Sequence, residues 1–275
     1  MISTLKFSIL MVISETDNVD YLYDALNSVT IDQKLKADEF ILIKNGKLDN
    51  SQNTLIKNWM ACNDLNIKVI DLPKMQTLSN SLNTGLKNCS YDLIARMDPD
   101  DISLPERFFE QIKAFEKDKE LSVCGTLGKE FSDDKDSFFK KKLPLQPIEI
   151  KKFSRWRNPL IHPSVMFKKE DVLSVGGYPQ TNKAQDYLLW TRMIANNYKV
   201  KNLENILIKV RTDDDLIERR GFNYFLSEVE VLRYMYKDGS LPIIYLFINL
   251  FLRFFVRIAP KQIKTFFYKL RPSVK

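Results

Sequence analysis

Residues 7–46, FSILMVISETDNVDYLYDALNSVTIDQKLKADEFILIKNG, decide the fold class. The run 7–13 is short and uniformly apolar, as a strand buried on both faces is. Polar Ser14, Glu15, Thr16 and Asp17 follow it. Leu22, Ala25, Leu26 and Val29 then share one helical stripe across 19–29. Residues 39–44, EFILIK, make the next apolar run, broken by Asn45-Gly46. Strand, helix and strand in succession is the unit of a parallel sheet, because parallel neighbours need a crossover between them.

The same alternation continues outward. Helices are expected near 54–62 and over 79–89, and strands at 67–70, 92–97 and 121–125. Pro105 opens a further helix that runs to about residue 117. This predicts an α/β fold with a mostly parallel central sheet and helices on both faces. Ligands of such sheets bind at the carboxyl ends of strands, so the loops that matter are 14–17, 45–49 and 98–101. The charged, proline-bearing stretch 131–147 reads as a mobile connection. The N-terminus reads as a strand and not as a signal peptide, since no small-residue cleavage site follows the apolar run.

Composition excludes several chemistries. The 275 residues are 44% hydrophobic and 28% charged, as in soluble globular proteins. His162 is the single histidine, which rules out two-His metal sites and HExxH proteases. The eight glycines form neither G-x-G-x-x-G nor a P-loop, which argues against dinucleotide binding and P-loop chemistry. Cys62, Cys89 and Cys124 are odd in number with no C-x-x-C, so a reducing cytosol is expected, without disulfides or zinc.

The net charge of +7 is localised. Arg253, Arg257, Lys261, Lys264, Lys269, Arg271 and Lys275 all follow Gly239, in a stretch without Asp or Glu. The remainder of the chain is therefore neutral. A nucleic-acid binder would spread a basic face over the domain. Here a tail meeting an anionic surface is the better expectation.

Asp98-Pro99-Asp100-Asp101 closes the strand ending Arg96-Met97. Three carboxylates this close repel one another, and a hard divalent cation such as Mg²⁺ or Mn²⁺ would relieve that while leaving positions for phosphate oxygens. An acidic helix N-terminus before Pro105 is the alternative.

Taken in order, these segments resemble a family 2 glycosyltransferase of the GT-A fold. FSILMVIS resembles the opening nucleotide-binding strand, EFILIKNG the second strand and its turn, and LSNSLNTGL the helix before the metal loop. LIARMDPDDISLPERF is similar to the metal-binding DxD loop. RNPLIHPSVMFKKEDVLSVGGY resembles the acceptor half, AQDYLLWTRM the catalytic-base helix, and RRGFNYFLSEVEVLRYMYKDG the bacterial polysaccharide branch. The match spans about residues 6–240.

The resemblance implies a Rossmann-like GT-A domain. Residues 1–104 would form its nucleotide-sugar half, 105–215 its acceptor half, and 216–275 C-terminal amphipathic helices that associate with a membrane. Asp98 and Asp100 would hold Mn²⁺ or Mg²⁺, Asp100 foremost. Asp98, Asp101, Arg96, Ser14, Glu15 and Asn45 would meet the nucleotide or donor. Asn45 replaces the family's usual Asp, and its carbonyl can still accept from a uracil N3–H. Arg96 could equally be an ion-pair partner of the cluster, and Asn45-Gly46 an ordinary turn. Asp186 aligns with the general base, with Gln185 in place of the family's Glu; as a bare sequence feature it is an acidic residue at a helix start. His162, Arg211, Arg219 and Arg220 would face phosphate or acceptor. The alternatives are a structural histidine and a solvated charged face.

Residues 241–258 are rich in Phe, Leu and Ile, yet Asn249, Arg253 and Arg257 interrupt them. The apolar part falls short of the roughly 20 residues a membrane span needs. It resembles interfacial helices, or else a helix packed on the domain. The expected activity is an inverting, metal-dependent hexosyltransferase. It would move glucose or galactose from a UDP-sugar to a sugar on undecaprenyl diphosphate, in O-antigen or capsule synthesis, at the cytoplasmic face of a bacterial inner membrane. Two other classes remain: a haloacid-dehalogenase-like phosphatase, on the strength of D-x-D, and a catalytically inactive membrane-bound partner. The phosphatase would carry its acidic pair on the first strand and Thr or Val where this chain has Ile102.

Overall fold

The computed structural model describes residues 5–132, 135–140, 142–181, 183–212 and 222–258. Strand β1 (Phe7–Ser14) is central, and alternate side chains divide between its two faces. Phe7, Ile9, Met11 and Ile13 enter one core with Leu22 and Leu26 of α1 (Val19–Val29), Ile56 and Trp59 of α2 (Asn50–Ala61), and Phe108 and Phe115 of α4 (Arg107–Lys117). Leu10 and Val12 enter the other with Leu82 and Leu86 of α3 (Leu78–Asn88). That second core also takes in α5 (Pro147–Phe153), α6 (Lys169–Ser174) and α7 (Gln185–Ala195). Helices therefore cover both faces, as expected. Gly85 lets α3 come close: a Cβ there would collide with Leu10 Cδ1.

β2 (Glu39–Asn45), β3 (Asn66–Leu72) and β4 (Leu93–Met97) complete the parallel half, in the order β3-β2-β1-β4. Chain order reverses at β1, with β2 on one side and β4 on the other. Ser14 stands opposite Asn45, and Met11 opposite Met97, so the three strands release their loops at one edge. A crevice at that point is the ligand site of open α/β sheets.

Beyond β4 the sheet continues as β8 (Met166–Lys168), β6 (Leu121–Ser132), β9 (Lys199–Arg211) and β5 (Ile102–Ser103). β7 (Lys135–Lys140) pairs with β6, Lys129 facing Lys140. The stretch expected to be a mobile connection thus contains a strand. An edge strand has no second neighbour to demand apolar residues, so KDSFFK does not read as one. Most of β9 goes unread in the sequence, because register shifts against β6 interrupt its alternation.

α8 (Phe222–Lys237) and α9 (Ile243–Ile258) form a third core with Tyr187 and Leu188 of α7. Here one expectation is corrected. Arg253 is not part of an outward basic face: it donates to Glu228 Oε1 at 2.9 Å and to the Trp156 carbonyl at 2.8 Å. Asn249 is buried and donates to the Arg155 carbonyl at 3.0 Å. One side of α9 is therefore packed on the domain. The other carries Ile244, Phe247, Phe251 and Phe255, each more than half exposed at helical spacing. No helix among the described residues is long and apolar enough to cross a membrane. Arg219, Arg220, the Asp213–Asp215 run and the basic residues from Lys261 onward lie outside the described residues.

Candidate active site

β4 ends in the acidic loop, and two arginines govern it. Arg96 is fully buried and forms an ion pair with Asp98. Its Nε and Nη1 have no hydrogen-bond partner among the described residues. Beneath it Arg107, also fully buried, donates to the Arg96 carbonyl at 2.7 Å. Burial, with the Arg96 charge beside it, pushes Arg107 down to about 9. On the other side β5 pairs with β9 and brings Arg211 to the loop. The Arg211 backbone N–H donates to Asp101 Oδ1 at 2.9 Å and its Nε donates to the Asp100 carbonyl at 3.1 Å. Its guanidinium lies 3.7 Å from the Tyr21 ring centroid and 4.5 Å from that of Phe131.

Asp98, Asp100 and Asp101 offer carboxylate oxygens that all lie within 4.8 Å of one another. Burial, then the Asp98 charge, raises Asp100 to about 6. Asp101 is raised well above the carboxylate range by burial and by both neighbours. Asp17, at the end of the β1 loop, is raised as well, chiefly by burial. Such a donor set, all oxygen and with its carboxylates crowded together, suits a hard divalent cation.

Asp186 sits in the first turn of α7, after Ala184 in the left-handed region at φ 56°. An L-residue held there costs about 1–3 kcal/mol and marks a position the surroundings dictate. Asn158 Nδ2 donates to Asp186 Oδ2 at 2.6 Å. Burial nonetheless raises the Asp186 carboxyl, with the Asn158 and Tyr187 hydrogen bonds opposing it. His162 starts a single helical turn and shares a 2.9 Å hydrogen bond between its Nε2 and the Tyr178 hydroxyl. Burial, then the Arg96 charge, holds its pKa well below the usual imidazole range.

A cavity of about 460 Å³ brings these groups together, bordered by Asp98, Asp100, Asp101, Asn158, His162, Asp186 and Arg211. A larger surface cleft, about 750 Å³, lies near Glu120, Asp171 and Lys199 and holds none of them. Arg96, Ser14, Glu15 and Asn45 do not border the cavity. Arg96 is the ion-pair partner that the sequence left open. Asn45 Oδ1 accepts from Gln76 N–H at 2.8 Å and its Nδ2 donates to the Gln76 carbonyl at 3.0 Å. Both ends of its amide hold the segment before α3. Ser14 N–H donates to Asp17 Oδ2 at 2.6 Å.

Sequence reasoning missed Arg107, Asn158, Tyr178 and Gln52. Gln52 is buried in α2, and its Nε2 ties the Ser14 and Asp17 carbonyls at 3.0 and 2.7 Å. Only Asn158 carried a signal, as the polar residue opening Asn158-Pro159 four positions before His162.

Comparison with known proteins identifies the family and the fold. Residues 8–174 match Glycosyl transferase family 2. The amylovoran biosynthesis glycosyltransferase AmsE of Erwinia amylovora is 34% identical over 96% of this chain and 98% of its own. An Escherichia coli UDP-Gal:alpha-D-GlcNAc-diphosphoundecaprenol beta-1,3-galactosyltransferase is 33% identical over 97% of this chain and 96% of its own. Among solved structures, the mannosyltransferase PcManGT of Pyrobaculum calidifontis, in complex with GDP-Man and Mn²⁺, superposes with a TM-score of 0.67 at 14% identity, covering 90% of this chain and 70% of that one. S. aureus TarS 1–349 with UDP-GlcNAc gives 0.66 at 16% identity over 91% and 73%. The fold is GT-A, and the chain belongs to glycosyl transferase family 2. The phosphatase alternative falls with this, since the acidic loop follows the fourth strand and not the first.

Proposed function

We propose that this family 2 enzyme transfers a hexose, from UDP-galactose or UDP-glucose, with inversion onto a sugar carried on a lipid diphosphate. One observation carries the reading: the acidic loop and Asp186 border one cavity, a diphosphate-and-cation end and a base in the same space. Asp98 and Asp100 would hold Mn²⁺ or Mg²⁺, with Asp101 in support; the ion would supply charge neutralisation for the departing diphosphate. Arg96 fixes Asp98, and Arg211 fixes the loop backbone. The acceptor hydroxyl oxygen attacks the anomeric carbon as the carbon–oxygen bond to the nucleotide breaks, and its electrons leave with the diphosphate. Asp186 takes the hydroxyl proton during attack. A single displacement turns an α-linked donor into a β-linked product.

Ser14 and Glu15 approach the nucleoside, and Asn45 acts through the Gln76 segment it holds. Residues 1–104 serve the donor and 105–215 the acceptor. Residues 216–275 associate with the membrane surface through the exposed stripe of α9, at the cytoplasmic face of a bacterial inner membrane, in O-antigen or capsule synthesis. The likeness to the galactosyltransferase over nearly whole chains supports this acceptor class, and the likeness to AmsE supports a place in polysaccharide synthesis. The test is incubation with UDP-galactose or UDP-glucose, Mn²⁺ and GlcNAc diphosphate on an undecyl chain. A β-linked disaccharide by NMR is expected. An α-linked product overturns the single displacement, and no turnover of any UDP-sugar favours an inactive partner protein.

A further inference from the structure

Next to the cavity, with Leu143 as a shared wall, runs an open groove of about 500 Å³. Half-buried Phe153 and Trp156 line it together with exposed Lys142 and Lys152. Its one carboxylate, Glu149, is engaged at its own helix start, where it accepts from the Gln146 N–H at 3.4 Å. Arg157, also exposed, borders the adjoining cavity beside Asn158 and Asp186.

The groove is anchored to α9. The Trp156 ring meets Tyr245 edge-on with centroids 5.3 Å apart, and its carbonyl accepts from Arg253. Arg155 Nη1 donates to the Tyr245 hydroxyl at 2.9 Å. Thus the base, a cationic groove with aromatic walls and α9 follow one another, and α9 carries an apolar stripe on its open side. An amphiphile with a sugar head, a charged link and a hydrocarbon tail has the same order.

We propose that this groove is the acceptor's diphosphate subsite. Lys142 and Lys152 pair with the phosphate oxygens, and Phe153 and Trp156 cover the first apolar segment of the lipid. The inference rests on the reading that the acceptor is a lipid-diphosphate-linked sugar, and it adds where that link is held. Charge complementarity favours it over a neutral saccharide, because two lysines against one carboxylate leave the groove net positive.

The test is calorimetric binding of undecyl diphosphate, below its micelle concentration, and of inorganic pyrophosphate. Saturating UDP and Mg²⁺ are present to fill the donor site. Lys142→Ala/Lys152→Ala should weaken both probes about tenfold, as two exposed ion pairs would. Trp156→Ala should weaken only undecyl diphosphate, and Trp156→Phe should restore part of that. The proposal is overturned if the wild type binds neither probe, or if the double lysine variant binds them unchanged. Binding of pyrophosphate alone, with undecyl diphosphate no tighter, overturns the lipid assignment. Hydrolysis of the UDP-hexose, which needs no acceptor, is read in parallel. Its absence in the wild type counts against the functional reading, whereas intact hydrolysis with unaltered probe binding in the lysine variant counts against the groove alone.

Discussion

Asn158→Ala tests whether Asp186 works as a base. The amide donates to Asp186 Oδ2 at 2.6 Å and opposes the burial that raises this carboxyl. A hydrogen bond to a charged group contributes about 1.5–3 kcal/mol, and here it stabilises only the ionised form fully. Without it, Asp186 holds its proton to higher pH. The acid limb of kcat/KM should therefore move towards higher pH. In that limb the variant should be slower by roughly 10- to 100-fold, the same energy expressed as a ratio. The two rates should converge on the alkaline side, where both carboxyls are ionised. Stability moves consistently. A carboxyl raised in the folded state costs stability above its unfolded pKa, so the variant should be destabilised near neutrality and much less so in acid. Leu160 N–H, which donates to Asn158 Oδ1 at 3.2 Å, adds a pH-independent part to that loss. The assay is a pH–rate profile with thermal denaturation at neutral and acid pH. A deficit of equal size at every pH would mean that Asn158 places substrate and does not tune a base, and the argument would fail.

Other outcomes follow from the same geometry. Asp186→Asn should keep UDP affinity and the melting temperature but lose transfer by at least about 10²-fold; a parallel fall in UDP affinity by calorimetry would make Asp186 a binding residue. Asp100→Ala should abolish turnover and weaken Mn²⁺-dependent UDP binding, and full wild-type activity in EDTA would refute the metal role. Gly85→Ala should cost about 1–3 kcal/mol in urea denaturation, because fully buried Leu10 leaves no room for the added carbon; an unchanged midpoint would show that α3 can retreat. Removal of residues 259–275, with five of the tail's basic residues, should weaken anionic-liposome binding and leave the melt unchanged. A cut from Leu252 should lower the melt instead, since it removes the Arg253 bonds to Glu228 and Trp156; equal melts for both cuts would contradict that packing.

Apart from the two-residue β5, the elements of the first 125 residues were legible because each faces a core on at least one side, which imposes a period. β1 shows this in the extreme, with Phe7 and Ile13 in one core and Leu10 and Val12 in the other. The period fails where that demand lapses. β7 lies at an edge, β9 slips register against β6, and α9 is apolar on its packed and open sides alike. In α9 the polar residues are the packed ones: Asn249 and Arg253 point at the domain while Phe247 and Phe251 face out. Hydropathy counts Arg253 as a solvent or membrane residue, and only its partners show otherwise.

The candidate site divides in the same way. Asp98, Asp100 and Asp101 are adjacent in sequence, so their repulsion can be read directly, and Asp186 stands at a recognisable helix start. The groups that control them come from elsewhere: Arg211 from 110 positions beyond Asp101, Asn158 from 28 before Asp186. Arginine, asparagine and glutamine are common residue types, and no spacing marks one as a partner. Arg107 is the sharpest case. In sequence it is one more basic residue at a helix start, where the dipole disfavours it. In the fold it is buried beneath Arg96, its proton weakened to about 9, and it holds the carbonyl of the residue that pairs with Asp98. Two buried guanidiniums this near each other repel, and burial makes that costly. Their place is explained by the acidic loop above them, whose carboxylates supply the opposing charge.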